Sequence, residues 1–334
     1  MTVDAGKLAK LKEIVENNQC FAIFGHKNID GDAIGWSLGL WGILEKLGKD
    51  VKYFTTIKPA KTYSFVEWVE KISTDFDYAD YDVLICVDFT PLDRISEFVK
   101  GHEDYFAQKD IVIIDHHYGN PPENAVLVIR DEDATSNCEW VFEHVREIWP
   151  ELIDEKIATY FYLGLTTDSA NFIHDEPNQS ARTLENAVKL IELWANKKMI
   201  VDNVFRKKTL ASVEFMQQVL GRMKVYKHNI LVSYCSFEEL DEKNLDSFEA
   251  GYALPIMQSI EWIELIIFCK YSLELGTMRM SFRGRWKYEV NKLAENRWGG
   301  GHHNAAGTIV HVPNRDFQKK ILEVVDTVIK MTEN

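Results

Sequence analysis

The sequence predicts an α/β protein, with a mostly parallel sheet flanked by helices in its N-terminal part and a smaller α/β part after it. Three observations predict this. The apolar runs "CFAIF" (20–24), "YDVLICV" (81–87) and "DIVII" (110–114) are short and continuous, as strands buried on both faces are. Stretches of helical periodicity separate them, which is the alternation of an open α/β sheet. A second group of strand-like runs starts beyond residue 224 and meets a glycine cluster, so the 334 residues suffice for two domains.

Taken in order, "MTVDAGKLAKLKEIVENN" has the spacing of an amphipathic helix, not the apolar core and small-residue cleavage site of a signal peptide. "AIGWSLGLWGILEKLG" (33–48) is a helix closed by a glycine. "DEKIATYFYLGLTTD" (154–168) and "SARTLENAVKLIELWANK" (180–197) are two more. The charged helical pattern of 199–223 contains no strand, which makes it a connector between a domain of 1–198 and one of 224–334. In the latter, "HNILVSYC", "IEWIELIIFCKYS" and "TMRMSFRGR" are strands, "RWGGGHHNAAG" is the glycine cluster, and "DFQKKILEVVDTVIKM" is a closing helix.

Composition narrows the class. Apolar residues are 46% and charged residues 27% of the chain, ordinary for a globular protein. No run approaches the roughly 18 apolar residues of a membrane span. The five cysteines are scattered and never form CxxC, so buried free thiols in a reducing cytoplasm are expected, and no membrane association. A net charge of −14 argues against long duplex nucleic acid as a partner, because such binding depends on cationic side chains displacing the counterions of the nucleic acid.

The chemistry gathers where the strands end. "FGHKNIDGDAIG" (24–35) supplies His26, Asp30 and Asp32; "VDFT" supplies Asp88; "DHH" supplies Asp115, His116 and His117; "TTDSANF" supplies Asp168. In open α/β sheets ligands bind at the carboxyl ends of strands. Carboxylates mixed with imidazoles, without thiolate, suit Mn²⁺, with Mg²⁺, Co²⁺ or Fe²⁺ as alternatives. Six or seven such groups exceed one ion's needs and suit two ions roughly 3.5–4 Å apart that activate a hydroxide. Asp30 and Asp32 then tolerate each other because each faces its own cation, with Gly31 letting the backbone turn between them.

"GHKNIDGDAIG", "VDFT", "IDHH" and "TTDSANF" resemble, in order and spacing, the four motifs of the DHH phosphoesterases, and "RWGGGHHNAAG" resembles the GGGH signature of their DHHA1 domain. Within that family the chain is similar to the stand-alone, NrnA-like oligoribonuclease and pAp-phosphatase type. The resemblance implies a two-domain hydrolase with His26 and Asp30 on a first metal, Asp32, His116 and Asp168 on a second, and Asp88 bridging. It implies that His117, Arg283 of "SFRGR" and His302 contact substrate phosphate. Gly299, Gly300 and Gly301 would let backbone N–H groups approach an anion. The implied substrates are short RNA oligonucleotides and linear dinucleotides, with pAp or cyclic dinucleotides as alternatives, and a homodimer is possible. Inorganic pyrophosphate and a catalytically dead binding protein are disfavoured, the latter because every expected ligand is present. Ile29, Trp36, Ser169, Ala170, Gly284 and Trp298 depart from the family pattern and are expected around the cleft, where they would bear on substrate preference.

Overall fold

In the computed structural model the described residues are 5–26, 29–87, 92–115, 121–131, 133–173, 177–285, 288–295, 299–301 and 303–332. The chain divides into two units, Met1–Lys207 and Lys208–Asn334.

The first unit begins with α1 (Ala5–Asn17), which buries Leu8, Leu11, Ile14 and Val15 along one stripe. It continues through β1 (Cys20–Gly25), α2 (Gly31–Lys46), β2 (Asp50–Phe54), β3 (Val83–Val87), two short helices α3 (Ser96–Val99) and α4 (Glu103–Ala107), β4 (Asp110–Asp115) and β5 (Ala125–Arg130). The five strands form one sheet in the order β2-β1-β3-β4-β5, every pairing parallel. The three apolar runs are its central strands. The two edge strands escape sequence detection because each is partly exposed and carries charge: "DVKYF" alternates exposed and buried residues at its start, and "AVLVIR" ends on an arginine. In this strand order the chain direction across the sheet reverses between β1 and β3, and open α/β sheets bind ligands at such a switch point, beyond the carboxyl ends of the strands. His26 and Asp88 follow those ends directly in sequence.

The remaining helices of this unit are α5 (Asn137–Ile148), α6 (Glu155–Asp168), α7 (Pro177–Glu192) and α8 (Lys197–Ile200). Every residue of α2 from Gly31 to Leu44 is buried, so this helix is interior on all sides and its sequence is apolar all round. Gly48 follows its C-cap in the left-handed region (φ +76°), the stop the sequence predicts. One core cluster is aromatic: Phe76 meets the rings of Phe24 and Phe54, each at 4.9 Å and edge-on.

The second unit comprises α9 (Leu210–Gly221), β6 (Lys224–Tyr226), β7 (Ile230–Ser236), α10 (Phe237–Glu242), α11 (Leu254–Ser259), β8 (Leu265–Ser272), β9 (Thr277–Gly284), α12 (Val290–Glu295), β10 (Gly300–Gly301), β11 (Ala305–His311) and α13 (Phe317–Thr332). Its sheet runs β10-β11-β9-β8-β7-β6, with β7 and β8 parallel and the other pairs antiparallel. Alternation sorts the residues of β9. Met278, Met280 and Phe282 pack with Phe317, Ile321 and Val324 of α13, which leaves Arg279, Ser281 and Arg283 on the opposite face. On that opposite face, Leu231, Cys235, Ile266 and Phe268 are covered by Phe215 and Val219 of α9. The stretch 199–223 is therefore divided: the division between units falls after Lys207, and α9 contributes to the second core.

Cys86, Cys138, Cys235 and Cys269 are buried free thiols and Cys20 is partly buried. Among the described residues, no helix is long and apolar enough to cross a membrane.

Candidate active site

The first cluster forms where β1 runs out. Asp30 is the N-cap of α2, with extended backbone (φ −111°, ψ −168°), and its Oδ1 accepts the Ala33 N–H at 3.0 Å. That hydrogen bond satisfies one orphan amide of the helix start and fixes the carboxylate. It also leaves Oδ2 turned to His26, whose Nε2 lies 3.7 Å away. This separation is too long for a hydrogen bond. It suits two donors sharing one divalent ion, since metal bonds of roughly 2.0–2.2 Å allow such a span. His26 is largely buried, whereas Asp30 is about half exposed and reachable from solvent.

Asp32, two residues on, is completely buried. Its Oδ2 accepts the Asn137 N–H at 2.8 Å and its Oδ1 the Cys138 N–H at 2.9 Å. These are the first two amides of α5, whose N-cap is Ser136. The two neighbouring carboxylates thus sit on two different helix N-termini, α2 for Asp30 and α5 for Asp32, where the helix dipole favours negative charge. Peptide dipoles supply positive potential to both before any cation is considered.

The expectation about Gly31 needs correction. It is the first residue of α2 and does not adopt positive φ, so no special turn is made there. Glycine is required by packing: a Cβ at Gly31 would lie 2.4 Å from the side chain of Thr167. Gly164 makes the matching concession on α6, since a Cβ there would fall 2.5 Å from Asp32 Oδ1 and 2.2 Å from Cys138 Sγ. The two glycines let α2 and α6 touch, which carries Asp168, the last residue of α6, up to the start of α2.

Asp115 is the final residue of β4 and is buried. In a parallel sheet it lies at the same edge as the end of β1. Asp88, His116, His117, His302 and Trp298 lie outside the described residues. Among the described residues no group of three or more His, Cys, Asp or Glu side chains is gathered closely enough to hold a metal. The His26–Asp30 pair fits one side of a divalent site, in donor type and spacing. Asp32 has both oxygens committed to amides, though each carboxylate oxygen retains a second lone pair.

In the second unit, Arg283 stands on β9 and donates from its guanidinium to the Phe282 carbonyl at 2.9 Å. Burial, followed by the charge of Arg279, pulls its pKa below the usual arginine range. Gly300 and Gly301 pair with Gly307 and Ala306 of β11. Gly301 must be glycine, with φ +140° and the Ala305 carbonyl 2.5 Å from where a Cβ would be. Around Gly300 that space is open.

Several of the departures from the family pattern are interior. Trp36 and Ser169 are completely buried and Ile29 nearly so. Gly284 is demanded by the Tyr288 carbonyl, 2.6 Å from a would-be Cβ. Arg285 is structural, donating to the carbonyls of Ile260, Glu261 and Gln258 at the end of α11.

Sequence reading passed over the support beneath Asp32. Arg182 of α7 binds Glu143 through two hydrogen bonds (2.9 and 2.7 Å) and Asp131 through a third contact at 2.9 Å. Asn186 donates to Glu143 at 2.6 Å, and buried Glu139 accepts the Thr135 N–H at 2.9 Å. Burial would raise the Glu143 carboxyl, but the Arg182 and Asn186 hydrogen bonds outweigh it and the net shift is downward. The network fastens the Thr135–Ser136 turn and hence the α5 amides. Its signal was available in "SNCE", the S-x-x-E spacing of a helix start.

Residues 20–165 match the model described as "DHH family, N-terminal domain". The chain is 22% identical over 325 residues to the bifunctional oligoribonuclease and PAP phosphatase NrnA of Mycoplasma genitalium, covering 97% of this chain and 98% of that protein. It is 23% identical to the cyclic-di-AMP phosphodiesterase PdeA of Listeria monocytogenes, covering 95% of this chain and 49% of that protein. Its fold is shared with an exopolyphosphatase-related protein of Bacteroides fragilis, at a TM-score of 0.86 and 24% identity over the whole of both chains. With these likenesses joined to a parallel sheet whose edge carries His26, Asp30 and Asp115, the chain is a phosphoesterase whose residues 20–165 match the N-terminal domain of the DHH family.

Proposed function

We propose that the protein is a divalent-metal-dependent phosphodiesterase, with Mn²⁺ the favoured ion, that releases mononucleotides from short oligoribonucleotides and linear dinucleotides. The observation that carries the reading is the near-complete length match to the bifunctional oligoribonuclease and PAP phosphatase, 97% of one chain and 98% of the other. The match to the cyclic-di-AMP phosphodiesterase takes in only about half of that protein, which makes cyclic dinucleotides the weaker reading. Hydrolysis of pAp is a second activity of the same site, favoured by the two activities in that relative's name.

His26 and Asp30 would hold the first ion, with Asp88 between the two ions and Asp32, His116 and Asp168 on the second. Bound divalent ions supply Lewis acidity and lower the pKa of water enough to give a nucleophile near neutral pH. The chain's own contribution is positioning. Asp30 presents one fixed oxygen because the other caps α2. Asp32 cannot swing, because Asn137 and Cys138 hold both its oxygens. His117, Arg283 and His302 would bind the phosphate, and the guanidinium and imidazoles would stabilise charge spreading over its equatorial oxygens. Gly300, with open space beside its Cα, would admit an anion to the backbone.

The test uses labelled RNA of two to five nucleotides with Mn²⁺. Mononucleotide release by the native chain, lost by at least 100-fold in Asp88→Ala, is expected. Intact RNA after prolonged incubation, or equal activity in the variant, would overturn the reading.

A further inference from the structure

Two helices, α5 and α10, start with the spacing S-x-x-E, yet their glutamates act differently. At α10 the reciprocal pair of a capping box forms: the Glu239 N–H donates to Ser236 Oγ at 3.1 Å, and the Ser236 N–H donates to Glu239 Oε2 at 2.8 Å. The Glu239 side chain stays 30% exposed. At α5 the Glu139 N–H again donates to the cap, Ser136 Oγ, at 3.1 Å. The Glu139 carboxylate, however, reaches past the cap to the Thr135 N–H at 2.9 Å and is completely buried. Burial raises its pKa, although Thr135, Arg182 and Thr183 pull the other way. Capping alone does not call for a carboxylate so costly to desolvate, since Ser136 supplies the cap and the α10 glutamate does its part near the surface.

The difference is matched by what the α5 amides do. The first two, of Asn137 and Cys138, donate to the Asp32 carboxylate, 105 and 106 residues away in sequence, and the third, of Glu139, donates to Ser136. The start of α5 is thus a clamp on Asp32. Where the clamp sits depends on the chain just before it, and Glu139 holds that chain at Thr135. Helix α7 braces the same turn: Thr183 and Thr135 share a hydroxyl–hydroxyl hydrogen bond at 2.8 Å, and Asn186 Nδ2 lies 3.5 Å from Glu139 Oε1.

We propose that Glu139 is a positioning residue of the metal site: by holding Thr135 it fixes the two α5 amides that aim the Asp32 carboxylate, and so sets how tightly the ion facing Asp32 is bound. The inference rests on the metal-dependent reading above and deepens it by assigning this control to a buried residue that touches neither ion nor substrate. Outer groups that orient a metal ligand act in this way.

The test is calorimetric titration with Mn²⁺, joined to hydrogen exchange at the Asn137 and Cys138 amides. Glu139→Ala is expected to weaken Mn²⁺ binding at least tenfold and to speed exchange of the two amides at least tenfold. Glu139→Gln, which keeps an oxygen for Thr135, should retain most of the affinity. Leu11→Ala, in the buried stripe of α1, should lower Tm and leave the affinity unchanged, which separates aiming of Asp32 from general loss of stability. Native affinity in Glu139→Ala, or equal weakening in Leu11→Ala, would overturn the proposal. Should the native protein bind no Mn²⁺, the reading of function fails, and amide exchange still decides: unchanged rates in Glu139→Ala would overturn the role of Glu139. If Glu139→Ala does not fold, Thr183→Val, which removes the bracing hydroxyl, takes its place under the same criteria.

Discussion

At the residue scale, the turn after Asp168 places three consecutive residues in the left-handed region. Ala170, Asn171 and Phe172 all have positive φ, at +47°, +59° and +65°. The chain folds back through Asn171 N–H to the Thr166 carbonyl at 2.7 Å and Phe172 N–H to Ser169 Oγ at 3.1 Å. This stops α6 immediately after its terminal aspartate and keeps that residue at the helix end. A left-handed alanine is unfavourable where glycine would not be. Ala170→Gly should therefore raise stability by about 0.5–1 kcal/mol in urea unfolding. A loss of stability would mean that the methyl group packs usefully and that strain is not the dominant effect.

At the element scale, the contact between α2 and α6 governs the site. Gly31→Ala would drive a methyl group into Thr167, at a cost of about 1–3 kcal/mol for overpacking. It should also weaken metal binding by moving the end of α6 from the start of α2. Adding Thr167→Ala removes the colliding atoms, so the double variant should regain most of the loss in both thermal denaturation and metal titration. If it does not, the role assigned to Gly31 is wrong. The same scale shows how far the elements could be read from sequence. β1, β3 and β4 stand out because burial on both faces forces continuous apolar runs. β2 and β5 do not, because an edge strand may keep charged residues at its exposed positions. Helix α9 has an apolar face that sequence alone leaves without an owner, and Phe215 and Val219 acquire one only when β7 and β8 lie beside them.

At the scale of the whole molecule, 14 excess negative charges and an acidic sheet edge make cation binding a source of stability. Addition of Mn²⁺ at about 100 times its dissociation constant should stabilise the protein by about 2.7 kcal/mol, visible as a rise in Tm that a chelator reverses. Asp30→Asn should shrink that rise. An identical melting temperature with and without metal would count against the ion site at His26 and Asp30.

The sequence by itself determined the order of the motifs, the parallel core of the first sheet and the candidates for holding metal and phosphate. These are written locally, in apolar runs and in residues a few positions apart. Tertiary structure decided which groups meet. Asp32 finds its amide partners 105 and 106 residues away, Gly31 is glycine because of Thr167, and Lys270 faces Arg279 through strand register. Such pairings depend on how helices cross and how strands align, and those are properties of packing that no single segment carries.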